Sequence, residues 1–438
     1  MGTPYLKAAP LRERESRDAP SGPHEAAGSN SRSKTYTFLG GFGLGNFGNE
    51  LTFQAILCHL RRLRPGVEVS CVCTDPVATA ALHNVIGLPI SRVLANGWKA
   101  NNRISKVLRS VIVGIPNELY RWLYAFRTLR HTDVLIVPGT GLLTDAYGLK
   151  NWGPYSIFKW SLLAKIRRCQ LLFVSVGAGP VHTRFGKWLV KSSLALADYR
   201  SYRDHETKSY LESIEANVAA DRVYPDLAFS LVPKIVFKHA TSRRLRPVVG
   251  LGLMLYHDKL SSDRARATTY AAYLAELAEF VRWLLARDYD VRLLTGDLSD
   301  RPVIEEFKRL LSARLGDYSK DRVIDDPILS AEELLEQLAQ TDSVVATRFH
   351  NVLLAITLGK PVISISFHQK CTSLMQDMGL PEYCQEIKHL TADALIGQFC
   401  NLEKNADRLK RTINEKAAEC RASLNEQYTL IFGDGVAG

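Results

Sequence analysis

No CxxC pair occurs among the eight cysteines, and no cluster of histidine and cysteine has zinc spacing. The expectation is therefore no structural metal and no disulfide. Cys71 and Cys73 alternate in a strand-like run, which places them on one face as small core residues of a reducing compartment. No apolar run is long enough to span a bilayer. Met1 to Lys34 lacks the apolar stretch of a signal peptide, and Leu6 stands where a myristoylation signal wants Ser or Thr. That segment is rich in Pro, Ser, Gly, Arg and Glu and reads as a disordered tail. A cytoplasmic location is expected, with docking at the inner face of the membrane left open. There is no long basic run and no basic–aromatic RNA motif, so nucleic acid is not an expected partner. The net charge of +11 is read as Lys and Arg scattered over solvated helix faces, with a general attraction for anions.

What is present points to a layered α/β protein. The 438 residues, 46% hydrophobic, can bury two or three domains. From Thr35 on, short apolar runs each enter a glycine turn. Tyr36 to Leu39 meets Gly40 to Gly48, Asp133 to Val137 meets Pro138 to Gly141, and Leu171 to Val176 meets Gly177 to Pro180. A helical stripe of Phe53, Ile56, Leu57, Leu60 and Leu63 follows the first turn. Strands of this kind with helices between them predict a parallel sheet covered on both faces.

After a largely basic linker, 234–246, the pattern restarts. Strands are predicted from Pro247 and at Val291 to Leu294, Ser343 to Ala346 and Val362 to Ser366. Helices are predicted over Tyr270 to Arg287, from a capping box at Ser330 to Glu333, and over Asn351 to Leu358 with Gly359 closing it. The fold class is two doubly wound Rossmann-like domains, 35–233 and 247–391, facing a central cleft, with a helical segment and tail over 392–438. Ligands are expected where the carboxyl ends of the strands meet.

Candidate site residues gather at that edge. Gly43-x-Gly45-x-x-Gly48, with Asn46 inside it and Asp75 after the next strand, fits a structural turn, a phosphate or sugar contact, or a dinucleotide fingerprint. Gly139, Gly141 and Gly177 line two further strand ends. Asp145 either accepts from sugar hydroxyls or caps the next helix. Trp152 and Tyr155 either stack on a sugar or pack in the core. Arg203 follows a strand beside Asp204, while Asp226 reads as a turn or capping residue. The sharpest group is Thr347-Arg348-Phe349-His350, in a strand-to-helix turn where backbone N–H groups are free. Arg, His and a helix N-terminus together make an anion site with a proton donor, to which Lys370 adds a cation. His368 is set aside as a bystander.

The series Gly45-Asn46-Phe47-Gly48-Asn49-Glu50, Gly139 to Asp145, Ser175 to Pro180, Arg203-Asp204, Pro225-Asp226, Arg348-Phe349-His350, Gly359 to Val362 and Lys370 resembles the polysaccharide pyruvyl transferases over about Thr35 to Leu380. Two positions depart from that family's usual pattern: Asn49 stands for Asp and Thr140 for Gly. The resemblance implies a fold like that of GT-B glycosyltransferases and phosphoenolpyruvate as co-substrate, with no resident cofactor. It further implies a pair of hydroxyls on a saccharide, free or lipid-linked, as acceptor. It places Arg203, Arg348 and His350 at the donor, where the chemistry of ketal formation would make His350 the general acid at C3 or a shuttle for the hydroxyl proton. Lys370 is expected beside them, and Gly43, Gly45, Asn46, Gly139, Gly141, Asp145 and Gly177 toward acceptor or phosphate. The same cleft also suits a nucleotide-sugar glycosyltransferase, a sugar-nucleotide epimerase or a non-catalytic sugar-binding protein.

Overall fold

The computed structural model describes residues 34–96, 102–146, 148, 152–231, 245–256, 263–316 and 320–433, with the side chains of 263–266 and 320 excepted. The expected N-terminal tail, most of the expected linker and Asn151 lie outside the described residues.

In chain order the first half runs β1 (Tyr36–Leu39), α1 (Phe47–Leu63), β2 (Val69–Cys73), α2 (Pro76–His83), β3 (Ile86–Pro89), α3 (Arg103–Arg109), α4 (Ile115–Thr128), β4 (Val134–Pro138), α5 (Pro154–Ile166), β5 (Gln170–Val176), α6 (Arg184–Ala195), β6 (Tyr199–Tyr202), α7 (His205–Ser213) and β7 (Arg222–Val223). The second half runs β8 (Val248–Leu253), α8 (Asp263–Ala286), β9 (Asp290–Thr295), α9 (Arg301–Leu315), β10 (Val323–Ile324), α10 (Ala331–Ala339), β11 (Ser343–Ala346), α11 (Phe349–Thr357), β12 (Val362–Ser366), α12 (Gln369–Asp377), β13 (Cys384–Glu386), α13 (Ala392–Lys404) and α14 (Ala406–Phe432).

Two parallel sheets result, ordered β3-β2-β1-β4-β5-β6-β7 and β10-β9-β8-β11-β12-β13. The order reverses between β1 and β4 in one and between β8 and β11 in the other, so each sheet opens a crevice at the carboxyl end of that pair. The central strands β1, β4, β8, β11 and β12 are buried at every residue, which is why they read as unbroken apolar runs. Cys71 and Cys73 lie in the same core, as their spacing predicts. The short outer strands β3, β7, β10 and β13 have no such signature, because an edge strand needs neither length nor two apolar faces.

Local caps follow the sequence with two adjustments. Ser330 accepts from the Glu333 amide at 3.1 Å, but the Glu333 carboxylate takes the Leu329 amide at 2.7 Å, so half of the expected capping box forms. Helix α11 starts at Phe349, two residues before the predicted start, and Gly359 follows it with φ +69°.

The last helix does not stay with the second sheet. Helix α14 crosses to the first and packs beside α1. Buried Gln427 donates to Ser201 Oγ at 2.6 Å and to Tyr199 Oη at 3.1 Å, and accepts from Ser175 Oγ at 3.1 Å. Tyr428 stacks on His59, and Phe432 meets Tyr36 edge-on. The two halves are thereby held together by a helix about 40 Å long.

Candidate active site

The first glycine turn is where the two sheets touch. Gly43 and Gly45 have φ of +82° and +77°, a region that L side chains rarely adopt. The Gly43 amide donates to Glu50 Oε1 at 2.8 Å, and Glu50 Oε2 faces His83 Nε2 at 2.9 Å, both side chains buried. Leu298, after β9, donates its amide to Gly45 O at 3.0 Å, and Phe47 donates to Gly296 O at 3.2 Å. Asn46 caps α1 by accepting from the Asn49 amide at 3.1 Å, while its Nδ2 donates to Asp297 Oδ2 at 2.9 Å. Gly45, Asn46 and Phe47 thus join the two strand-end edges, while Gly43 ties the turn back to α1. Asp75 spends its carboxylate on the amides of Val77 and Ala78, both at 3.0 Å, and so caps α2 in the manner of an ordinary turn.

From that junction the first turn of α1 faces the first turn of α11. A Cβ placed on Gly48 would lie 1.9 Å from His350 Nδ1 and 2.2 Å from its Cγ. The imidazole therefore rests on the glycine, and any side chain there would displace it. Arg348 precedes α11 and offers Nε and Nη2 to the two oxygens of fully buried Asp300, each at 2.7 Å. One edge of the Arg348 fork is therefore committed to the protein. The Nη1 corner makes no hydrogen bond among the described residues.

Arg203 comes from the other sheet. Its amide is held by Val176 O at 3.2 Å, and its guanidinium lies across the strand ends. A Cβ on Gly177 would come within 2.7 Å of Arg203 Cζ, and one on Gly141 would stand 3.9 Å from Nη2. The two glycines leave the shelf on which this arginine lies. Its Nε is 3.4 Å from Asp204 Oδ2 and its Nη1 is 3.6 Å from Asp226 Oδ2. Asp204 also caps α7, and Asp226 caps the turn after it through the Ala228 amide at 3.0 Å. Asp226 Oδ2 and Arg203 Nε are nonetheless buried without a hydrogen bond, so the cap is only half of what Asp226 does.

Phe349 sits between two cations, with Arg203 Cζ 5.6 Å and Lys370 Nζ 5.4 Å from its ring centre. Lys370 stands in the first turn of α12, whose cap is the His368 ring accepting the Lys370 amide at 3.3 Å. Lys370 Nζ has no ion pair among the described residues. Removal from water and then the Arg203 charge hold the Lys370 pKa below its ordinary 10.5. For His350 the same loss of water, then Lys370, Arg203 and Arg348, push the pKa well below 6.5 and keep the ring neutral. Burial raises the Asp226 carboxyl, and Arg203 partly offsets it. Positive charge from both sheets thus converges on one spot, where Arg203 and Arg348 have carboxylate neighbours and Lys370 has none within ion-pair distance among the described residues.

The remaining expected residues divide. Gly139 packs in the core, where a Cβ would meet Thr52 Cγ2 at 2.5 Å. Among the described residues Asp145 caps no helix; its Oδ2 accepts from the His182 amide at 2.7 Å and braces two loops. Trp152 Nε1 donates to Thr74 Oγ1 at 2.7 Å, and Tyr155 Oη donates to Glu118 Oε1 at 2.8 Å, so both belong to packing. Thr140 is buried with its hydroxyl on Pro138 O at 3.0 Å, and Asn49 Nδ2 donates to Gly41 O at 3.4 Å, a bond that the family's usual Asp cannot donate.

A cavity of about 340 Å³ opens beside Arg203, Asp226, Phe349 and Lys370, walled on its far side by Lys416, Glu419 and Ser423 of α14. Sequence reasoning missed Asp300 and this wall, and it placed Gly48 in the first glycine turn without its contact to His350. The Asp297 to Asp300 turn closing a strand was the one available signal for Asp300; Gly48 and α14 come to the site only through tertiary contact.

The family model for polysaccharide pyruvyl transferase matches residues 46–369, from the cap of α1 to the first residue of α12. The amylovoran biosynthesis protein AmsJ of Erwinia amylovora is 21% identical over 427 residues, covering 89% of this chain and 97% of that one. Among solved structures, the UDP-GlcNAc 2-epimerase from Neisseria meningitidis bound to UDP-GlcNAc has a TM-score of 0.55 at 11% identity, covering 91% of this chain and 99% of that one. A glycosyltransferase from Rickettsia africae has a TM-score of 0.55 at 11% identity, covering 92% and 100%. These two likenesses are of fold alone, and both bear out the GT-B-like arrangement. The family match spans both sheets and the turn that carries Arg348 and His350, and with it the chain belongs to the polysaccharide pyruvyl transferase family.

Proposed function

We propose that this transferase moves the pyruvyl group of phosphoenolpyruvate onto two hydroxyls of a saccharide, forming a cyclic ketal and releasing inorganic phosphate. The observation that carries the reading is the convergence of Arg203, Arg348 and Lys370 at opposed helix N-termini beside neutral His350, with Lys370 lacking an ion pair among the described residues. Such a group favours a small ligand with several negative charges over a neutral sugar. Phosphoenolpyruvate carries a carboxylate and a phosphate close together. AmsJ, by its name, serves the biosynthesis of a polysaccharide, which supports a saccharide acceptor.

In this reaction C3 of the enol takes a proton and becomes the methyl carbon. One hydroxyl oxygen bonds to C2, phosphate leaves C2, and the second hydroxyl oxygen takes its place. The two hydroxyl protons balance those gained by the methyl group and by phosphate. Arg203 and Lys370 hold the anionic donor, and the Nη1 corner of Arg348 adds to them. His350, neutral in the free protein, gains a proton as the donor's negative charge raises its pKa, and delivers it to C3. The acceptor lies in the cavity bounded by α14. The test is turnover in D2O with phosphoenolpyruvate and an acceptor glycan, followed by mass spectrometry. One deuterium per ketal methyl and one phosphate per ketal are expected. Turnover of a UDP-sugar instead, with phosphoenolpyruvate neither bound nor consumed, contradicts the reading.

A further inference from the structure

The positive charge of this chain is not spread evenly. Between Pro76 and Ala197 sixteen Lys and Arg face three acids, Glu118, Asp133 and Asp145, a surplus larger than the +11 of the whole chain. The helices of this segment from α4 to α6 cover one face of the first sheet, and α1 with α14 covers the other. The reading of scattered, solvated charges is therefore corrected: the excess is concentrated on one half of the molecule.

Helices α3 and α4 are joined through a π-helical turn, Ser110–Gly114, into one rod about 40 Å long. Along it Ile104, Val107, Val111, Ile115 and Leu119 recur at helical spacing and are 53% to 80% exposed. No residue of α3 or of the π turn is buried. Arg103, Lys106 and Arg109, all exposed, fall on the other side of the same helix. An apolar stripe opposed to a basic face, with no acid from Pro76 to Asn117, is the pattern of a helix lying in a membrane interface. A second feature agrees. On α6, Phe185 and Trp188 stack at 5.9 Å and are both more than half exposed, with Arg184 and Lys187 beside them. Exposed aromatic rings flanked by cations suit the headgroup layer. Among the described residues no helix is long and apolar enough to cross a membrane, so the contact is one of lying on the surface.

We infer that the α3–α4 rod, aided by the tip of α6, docks this chain on an anionic lipid bilayer. The sign of the charge selects this occupant over a second copy of the chain. A two-fold dimer through the stripe would bring two segments with no acid from Pro76 to Asn117 side by side, whereas a bilayer with acidic headgroups neutralises their cations and takes up the apolar stripe. The inference does not depend on the donor chemistry, and its test reads no turnover.

The test is co-sedimentation of the full chain with vesicles of phosphatidylcholine alone or containing one third phosphatidylglycerol. Binding only to the anionic vesicles is expected, weakening as salt rises. The triple variant Arg103→Gln, Lys106→Gln, Arg109→Gln should bind roughly 100-fold more weakly. The pair Ile104→Ser, Ile115→Ser should lose binding to a similar degree while its circular dichroism and thermal melt stay nearly unchanged, since both side chains are more than half exposed. Absence of wild-type binding to anionic vesicles overturns the proposal. So does binding that both variants retain. Light scattering that shows a concentration-dependent dimer, dissolved by the serine pair without any vesicle binding, assigns the face to self-association and overturns it as well.

Discussion

Gly48→Ala is the smallest change that separates the proposed chemistry from the fold. The methyl carbon would stand 1.9 Å from His350 Nδ1 and 2.3 Å from Cε1. Carbon contacts settle near ~3.5 Å, so the ring or the helix must shift by more than an ångström. Gly48 lies inside α1 and has no positive φ, so its backbone accepts alanine. Helix propensity alone would make the change stabilising by about 0.5–1 kcal/mol. The sign of the effect on activity is thus opposite to the sign that local structure predicts. A displacement of about 1 Å in a group that transfers a proton lowers turnover by roughly 100-fold. The assay is steady-state phosphate release with a parallel thermal melt. A folded Gly48→Ala protein with turnover within twofold of wild type would show that His350 need not sit where it does, and the argument for its role would fall.

Four other outcomes follow from the same geometry. Lys370→Met should raise the melting temperature of the free protein, by about 1 kcal/mol of stability, while the KM for phosphoenolpyruvate rises steeply, because an unpaired cation is kept for its ligand. Arg348→Lys should lower stability by about 3 kcal/mol as well as activity, since it breaks the bidentate pair with fully buried Asp300; a loss of activity without a change in the melt would contradict that pairing. Phosphoenolpyruvate should raise the melting temperature, with a gain of about 2.7 kcal/mol at a hundredfold excess over Kd, and Arg203→Gln should abolish the gain. For the pH dependence, the folded protein holds His350 well below 6.5, so the unfolded chain binds the proton first. This contribution to stability is complete above pH 6.5 and is lost as pH falls below it, and His350→Gln should flatten that slope in chemical denaturation.

Much of this site was legible because its parts are local. A glycine turn after an apolar run marks a strand end, and in a parallel sheet all such ends lie on one edge, so Arg203, Arg348 and Lys370 could be assigned to that edge from their places in the chain. What was not legible is which partner each meets there. Arg348 was expected to turn its whole fork to a ligand, but one edge holds Asp300, 48 residues before it. Gly43, Gly45 and Asn46 were expected toward a ligand; the bonds of Gly45 and Asn46 join the two sheets, and the Gly43 amide is taken by Glu50. Asp226 was read as a cap and is one, yet its second oxygen is buried beside Arg203. The amphipathic pattern of α14 shows that one face is buried, but nothing in that pattern says that the face covers the opposite sheet. The exposed stripe of α3 and α4 has the same periodicity as a core-facing helix, and only the structure shows that no residue of α3 or of the π turn is buried among the described residues.

The claim that most needs testing is transfer of a pyruvyl group to a saccharide. The most direct measurement is mass spectrometry of the surface glycans of cells with the gene, cells without it, and cells carrying His350→Gln in its place. The account predicts a pyruvyl ketal in the first and none in the other two. Equal ketal content in cells with and without the gene, or full restoration by His350→Gln, would contradict it.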